Sequence, residues 1–194
     1  MNIKTLFAAA ALATTLCTAA GAITFEGALT QGGTVVTNFS GTGLVSFDID
    51  FASLAPVLLN FRVDNADVPG TIALSAMLRN FTGNGITGFD FVLDRGSFSS
   101  MGSVTPQFGG TASSMISGGM ATVRFSAPEF LDVEIGNALG STAGAADWTL
   151  GGLAAGDRFT LTVTAVPEPG TYALFLAGLA ALGLKARRRG VARV

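Results

Sequence analysis

The sequence predicts an all-β fold, an antiparallel β-sandwich of jelly-roll type, for the central residues 23–165. Apolar and polar residues alternate there with period two, as they do in half-buried strands. Glycine-rich turns separate the alternating segments, and no stretch carries the wider apolar stripe of an amphipathic helix. Eight or more short strands at this spacing are typical of a two-layer sandwich.

The alternation places individual strands along the chain. Val45, Phe47 and Ile49 alternate with Ser46 and Asp48 in the first clear example. The same pattern recurs near residues 57–63, 72–78, 89–93, 123–125, 131–135 and 159–164. A stretch rich in Gly, Ser and Thr, from Ser97 to Met120, is expected to form long loops or an exposed hairpin. Fifteen phenylalanines provide most of the bulky core, which a domain of this size can form without disulfides or metal.

The central region is strongly acidic although the whole chain has a net charge of only −2. Residues 23–170 hold all thirteen carboxylates but five of the eleven basic residues, a difference of eight negative charges. Such a body repels nucleic acid and anionic membrane surfaces, so neither is an expected partner. The chain has no histidine, which removes the usual general base and the commonest transition-metal ligand.

Residues 1–22 have the order of a secretory signal peptide. Lys4 provides the positive start, an apolar run follows, and Ala20-Gly21-Ala22 offers small residues for cleavage before Ile23. The sole cysteine, Cys17, lies inside this run and is expected to leave with it. A lipidated Cys17 is the alternative, disfavoured by the bulky leucine that precedes it.

The C-terminal tail, residues 166–194, has three parts in a fixed order. Pro167-Glu168-Pro169 comes first, and its prolines oppose continuation of a strand or helix. Fourteen uncharged residues follow at 171–184; as a helix they would span about 21 Å, less than the roughly 30 Å of a hydrocarbon core. The basic tail 185–194 then predicts a cytoplasmic C-terminus, and its stop residues are Lys185, Arg187, Arg188 and Arg189. These residues predict a short transmembrane helix, kept as a permanent anchor or removed.

This order resembles the PEP-CTERM sorting signal, in which Pro-Glu-Pro precedes a short transmembrane helix and an arginine cluster. The resemblance is confined to the tail. It implies that an exosortase of the inner membrane recognises Pro167, Glu168 and Pro169 and cuts nearby. It also implies a Gram-negative bacterium with extracellular polysaccharide, and a protein that reaches the cell surface or matrix after a transient single-pass stage.

Paired carboxylates are the remaining basis for an enzyme, because the central region also lacks lysine. Three pairs at even spacing, each expected to point to the same outward face of a strand, are candidates for glycoside hydrolysis: Asp48 with Asp50, Asp90 with Asp94, and Asp132 with Glu134. Strand faces that keep a sheet soluble carry the same pattern, and this second interpretation is preferred. We therefore expect no catalytic residues.

Two ligand sites remain as candidates. Asp64, Asn65 and Asp67 offer oxygen ligands for calcium in one loop, although such clusters usually form turns and no cofactor is otherwise expected. Asp147 and Trp148 could form a contact for carbohydrate, although a lone tryptophan is more often part of the core. Hence the expected function is a non-enzymatic surface or extracellular-matrix protein, associated with polysaccharide or biofilm. A carbohydrate-binding module is the alternative, and a glycoside-acting enzyme is less favoured.

Overall fold

The computed structural model of the chain describes residues 23–64, 71–168, 170 and 174–180. The predicted signal peptide therefore lies outside the described residues. Within the described part the chain is mostly β-structure, as predicted. Its strands are β1 (Ile23–Leu29), β2 (Val35–Asn38), β3 (Leu44–Phe51), β4 (Val57–Val63), β5 (Thr71–Asn80), β6 (Ile86–Leu93), β7 (Ser97–Ser100), β8 (Val104–Pro106), β9 (Ala112–Ser117), β10 (Met120–Glu129), β11 (Asp132–Ile135), β12 (Trp148–Gly151) and β13 (Arg158–Pro167).

The strands form two sheets. Sheet 1 has six strands in the order β1-β4-β13-β6-β10-β9, and all of its pairs are antiparallel. Sheet 2 follows the order β2-β3-β5-β11-β8. In sheet 2 the long strand β5 pairs with β12 along its first half and with β11 along its second half, and β7 pairs with β12.

One pair departs from the antiparallel arrangement that the sequence predicts. β3 and β5 run parallel from Leu44 opposite Ala73 to Phe51 opposite Asn80. A parallel neighbour requires a crossover connection, and here β4 provides it by crossing to sheet 1. Period-two alternation gives no information on strand direction, so the sequence could not reveal this pair. The jelly-roll connectivity stays a prediction.

The core lies between the two sheets because alternation turns one side of each strand inward. Leu59 of β4, for example, is completely buried. Rings from opposite sheets meet there: the centroids of Phe51 and Phe89 are 5.6 Å apart, and those of Phe91 and Trp148 are 5.1 Å apart. Each such side chain contributes about 1.5–3 kcal/mol through burial.

The stretch from Ser97 to Met120 is only partly as predicted. β9 and the start of β10 form a hairpin at the edge of sheet 1, turning at Gly118, whose φ of 59° suits glycine. Its outward Met115 is 68% exposed, so the predicted exposed hairpin is confirmed. β7 and β8 were not predicted; they are short and add to sheet 2 instead of forming loops.

The strand registers define two ends of the sandwich. β13 finishes with Pro167 opposite Ile86, the first residue of β6, and β10 finishes at Glu129 opposite the same residue. We call this the tail end, because the C-terminal tail leaves from it. Its loops cover residues 30–34, 52–56, 81–85, 107–111 and 130–131. Loops at the opposite far end include residues 39–43, 94–96, 136–147 and 152–157.

Candidate sorting site

The sorting tripeptide begins inside the sandwich, at the end of a central strand of sheet 1. β13 alternates buried Phe159, Leu161 and Val163 with threonines, so its inward face is fixed by the core. The strand ends at Pro167, which has no N–H to continue a ladder. The pairing with β6 shifts register between Val166 and Pro167. The fold thus delivers the first motif residue at a set position on the tail end.

Two groups of the neighbouring strand and turn hold this strand end. Glu168 donates its backbone N–H to the carbonyl of Gly85 at 3.1 Å. Thr87 donates its hydroxyl to the carbonyl of Val166 at 3.2 Å, and the Pro167 carbonyl lies 3.4 Å from the same oxygen. Both bonds engage main-chain atoms of the tail, so they fix the backbone at the end of β13.

Helical residues follow almost at once. Gly170 is helical, and so are residues 174–180. Apolar side chains dominate this segment and are exposed: Leu174 is 76% exposed and Phe175 is 65% exposed. In the part of the chain that the structure describes, no helix has the length and hydropathy needed to cross a membrane.

A family model described as the PEP-CTERM protein-sorting motif matches residues 165–189. The chain carries a PEP-CTERM sorting motif. The motif indicates an exported protein that an exosortase sorts during a transient stage at the membrane. The matched range starts on β13, so the motif and the sandwich share the end of one strand. Neither curated proteins nor solved structures gave a match to the chain.

The structure describes part of the residue set assigned to the motif. Pro167 and Glu168 are described, and both are half-buried against the tail end. Pro169 and the basic residues Lys185, Arg187, Arg188 and Arg189 lie outside the described residues. Sequence reasoning missed Gly85 and Thr87, which hold the strand end, because nothing local marks a residue some eighty positions away as a neighbour.

The candidate carbohydrate contact at Asp147 and Trp148 is wrong in that form. Trp148 is completely buried, its ring packs edge-on against Phe98 with centroids 6.0 Å apart, and its Nε1–H donates to the Ser103 carbonyl at 3.1 Å. A ring enclosed on both faces offers no surface for a sugar. Asp147 accepts the backbone N–H of Asn137 at 2.8 Å and thereby shapes the loop beside it.

Of the three residues of the candidate calcium site, the structure describes only Asp64. Asp64 pairs with Arg62 at 2.8 Å and accepts a hydrogen bond from the Thr24 hydroxyl. Asn65 and Asp67 lie outside the described residues. Within residues 23–64, 71–168 and the described helical positions, no three acidic, histidine or cysteine side chains are grouped as a metal site would require. The calcium site stays a prediction.

The first carboxylate pair is bridged by arginine. Arg79 donates Nη1–H to Asp50 at 2.9 Å and its Nη2 to Asp48, so one cation joins both carboxylates. The hydrogen bond to Asp50 is the main cause that raises the pKa of Arg79 above its usual range, and the bond to Asp48 adds to it. Arginine is firmly charged there. This geometry is that of a neutralised strand face and gives no acid-base couple.

Of the other two pairs, only Asp132 with Glu134 departs from the outward direction that even spacing predicts; Asp90 is half-buried and Asp94 is exposed. Asp90 forms an ion pair with Arg124 at 2.7 Å, whereas Asp94 accepts the Thr160 backbone N–H. Glu134 is buried, and it accepts hydrogen bonds from the Leu139 backbone and, at 2.9 Å, from the Thr142 hydroxyl. The prediction that Glu134 faces solvent is wrong, because the loop 136–147 folds over it and uses it as an internal acceptor.

Proposed function

We propose that this chain is a non-enzymatic surface or matrix protein of a Gram-negative bacterium, held at the inner membrane by its tail until an exosortase cuts beside Pro-Glu-Pro. The released sandwich then associates with extracellular polysaccharide. One observation carries the proposal: the motif starts on the last residues of β13 and is bonded to Gly85, so recognition and the folded body meet at one place.

The tail's composition agrees with transient insertion. The uncharged residues 171–184 are short for a bilayer, and the arginine cluster behind them favours a cytoplasmic C-terminus. A segment shorter than the hydrocarbon core is held less firmly in a bilayer than a full-length transmembrane helix. Weak insertion of this kind suits a segment that is later removed. Described residues 174–180 expose their apolar side chains rather than packing them on the sandwich.

The state of the carboxylates favours a role without catalysis. Glycoside hydrolysis needs two carboxyl groups that both face one sugar. Arginines instead neutralise several of the described acids: besides the Arg79 bridge, Arg95 pairs with Asp157 at 2.9 Å, and Arg158 pairs with Glu26 at 3.0 Å. Those groups serve solubility and loop geometry.

The test of sorting uses the full chain in a host that makes an exosortase. Replacing Pro167, Glu168 and Pro169 together by alanine should leave an uncut precursor in the membrane fraction, because the recognised residues are gone. Replacing Pro56 by alanine, a proline of another tail-end loop, is the matched control and should leave processing intact. Normal processing of the triple variant would refute recognition through this motif.

The polysaccharide association needs its own measurement. The protein recovered from its host should be retained by that host's extracellular polysaccharide and released by its enzymatic digestion. Retention that depends on ionic strength alone would count against it, since an acidic body binds polymer through bridging cations without specificity.

A further inference from the structure

Apolar side chains are exposed together at the tail end. Phe81 is 64% exposed, Phe108 is 55% exposed, Phe130 is 43% exposed and Leu131 is 53% exposed. Leu29, at the end of β1 on the same side, is 63% exposed. These residues come from three loops and one strand end, so the topology collects them at one end. We call this set the apolar rim.

The apolar rim is contiguous with the sorting motif. A Cβ built on Gly85 would lie 2.9 Å from Cζ of Phe130, so the Phe130 ring packs directly on this glycine. The carbonyl of Gly85 in turn accepts the Glu168 N–H. The rings of Phe130 and Phe108 pack edge-on with centroids 5.4 Å apart. Gly85 therefore contacts both the aromatic cluster, through Phe130, and the start of the tail, through Glu168.

Charge is distributed unequally between the two ends. The five tail-end loops contain no Asp, Glu, Lys or Arg. Of the described far-end loop residues, Asp94, Asp147 and Asp157 carry negative charge against Arg95. Glu168 and the half-buried Asp132 are carboxylates that lie beside these tail-end loops. An anionic surface would therefore repel the far-end loops more strongly than the uncharged tail-end loops.

The one carboxylate at the end of β10 is withdrawn from this surface. Glu129 is buried and accepts the backbone N–H of Phe108 at 2.8 Å and that of Leu131 at 2.9 Å. Its charge thus orders the two loops that carry Phe108, Phe130 and Leu131. Asp132 follows at the start of β11 and is half-buried.

The tail brings this end close to a bilayer. Tyr172 lies four residues beyond Glu168 in the sequence, at the start of the apolar stretch, where a tyrosine suits the membrane interface. Four residues span at most about 14 Å even when fully extended. An inserted tail therefore holds Glu168 within that distance of the interface, and Gly85 is hydrogen-bonded to Glu168.

We propose that the apolar rim rests on the lipid surface of the inner membrane while the tail is inserted. Phe81, Phe108 and Phe130 enter the interface, and the far end with its acids points away from it. The contact orients the sandwich so that the strand end at Pro167 meets a membrane-embedded enzyme at one fixed height. This inference rests on the proposed insertion of the tail.

The same contact is too small to retain the protein once the tail is gone. A few aromatic side chains at an interface give weak, reversible binding, as a single lipid chain does. The cut therefore releases the sandwich without any further step. Orientation before the cut and release after it then follow from one surface.

The experiment places a polarity-sensitive fluorophore on the full chain, reconstituted through its tail in phosphatidylethanolamine–phosphatidylglycerol vesicles. Cys17 is replaced by serine, and the label is attached at Phe108→Cys or, as the matched control, at Phe39→Cys. Phe39 is 58% exposed, close to Phe108 in exposure, but belongs to the far end. Nitroxide-bearing lipids should quench the label at position 108 and leave the label at position 39 unquenched.

Equal quenching at the two positions would overturn the proposal, because the sandwich would then have no preferred orientation. A label at 108 that is shielded from water yet unquenched by the lipid nitroxide would also overturn it, since the surface would then contact protein, either a second copy or the enzyme. Flotation of the protein with the vesicles measures insertion of the tail separately from quenching. A precursor that fails to float would refute the insertion itself.

A second readout is processing in cells. Replacing both Phe81 and Phe108 by serine should slow tail removal, whereas Phe39→Ser should not. Phe130 is left unchanged because it packs on Gly85 and so touches the motif's own support. An unchanged rate in the double variant would contradict the orienting role.

Discussion

Trp148 shows what a single buried residue does in this fold. Its ring lies between Phe91 of sheet 1 and Phe98 of β7, and its indole N–H is satisfied by the Ser103 carbonyl. The ring therefore ties β12 to the short strand β7 and to the loop before β8. The residue is a core anchor at the far end and has no free face.

At this scale, Trp148→Ala is expected to lower the free energy of unfolding by about 3–5 kcal/mol, because a fully buried large ring leaves a cavity. Urea denaturation followed by far-ultraviolet circular dichroism measures it. Phe39→Ala, at an exposed ring, serves as the control and should change stability by less than about 0.5 kcal/mol. A Trp148→Ala protein as stable as the control would disprove the core role.

Residue type alone left the role of Trp148 open. A tryptophan beside an aspartate and glycines fits a sugar platform as well as the core position that is more common for a lone tryptophan, and only long-range packing separates them. The same holds for Glu134: strand alternation predicts an outward carboxylate, but the loop 136–147 covers it. Burial by a loop is a tertiary effect that period-two patterns do not encode.

At the scale of elements, β13 decides how the motif is presented. It lies between β4 and β6 in sheet 1; β4 pairs with it as far as Val163, and β6 alone pairs with it from there to Pro167. The Thr87 hydroxyl and the Gly85 carbonyl hold its last residues. An enzyme that binds an extended chain around Pro167 must either bind the strand end while these hydrogen bonds are intact or break them first.

Thr87→Val is expected to loosen the strand end and speed tail removal, because the isosteric side chain cannot donate to Val166. The loss is about 1 kcal/mol, the net value of one hydrogen bond. Amide hydrogen exchange at Glu168 and pulse-chase processing measure the two effects. Thr162→Val is the matched control, since Thr162 lies on the neighbouring strand β13 and no hydrogen bond joins its hydroxyl to another described residue. Slower exchange or slower processing in Thr87→Val would contradict the account.

Seven of the thirteen described strands could be placed from the sequence, and strand partners could not. The seven alternating segments correspond to β3, β4, β5, β6, β10, β11 and β13, because a sandwich buries one face of each. The short strands β7, β8 and β12, with three or four residues each, are too brief for alternation to stand out. The parallel pairing of β3 with β5 depends on the crossover through β4, which no local pattern records.

At the scale of the whole molecule, the two ends of the sandwich have different chemistry. The tail end combines the motif, exposed aromatic side chains and uncharged loops, whereas the far end carries acids. The total charge and mean hydropathy of the sequence are averages over both ends, so they do not reveal this difference between the ends. The motif itself is local in sequence, and for that reason it could be recognised without a structure.

The intact mass of the mature protein, recovered from outside its native cells, tests the central claim most directly. The account predicts a chain that has lost residues 1–22 and everything beyond the neighbourhood of Pro169, with the β13 residues still present. A mature mass that retains residues 174–180 and the basic tail would contradict it and establish a permanent membrane anchor.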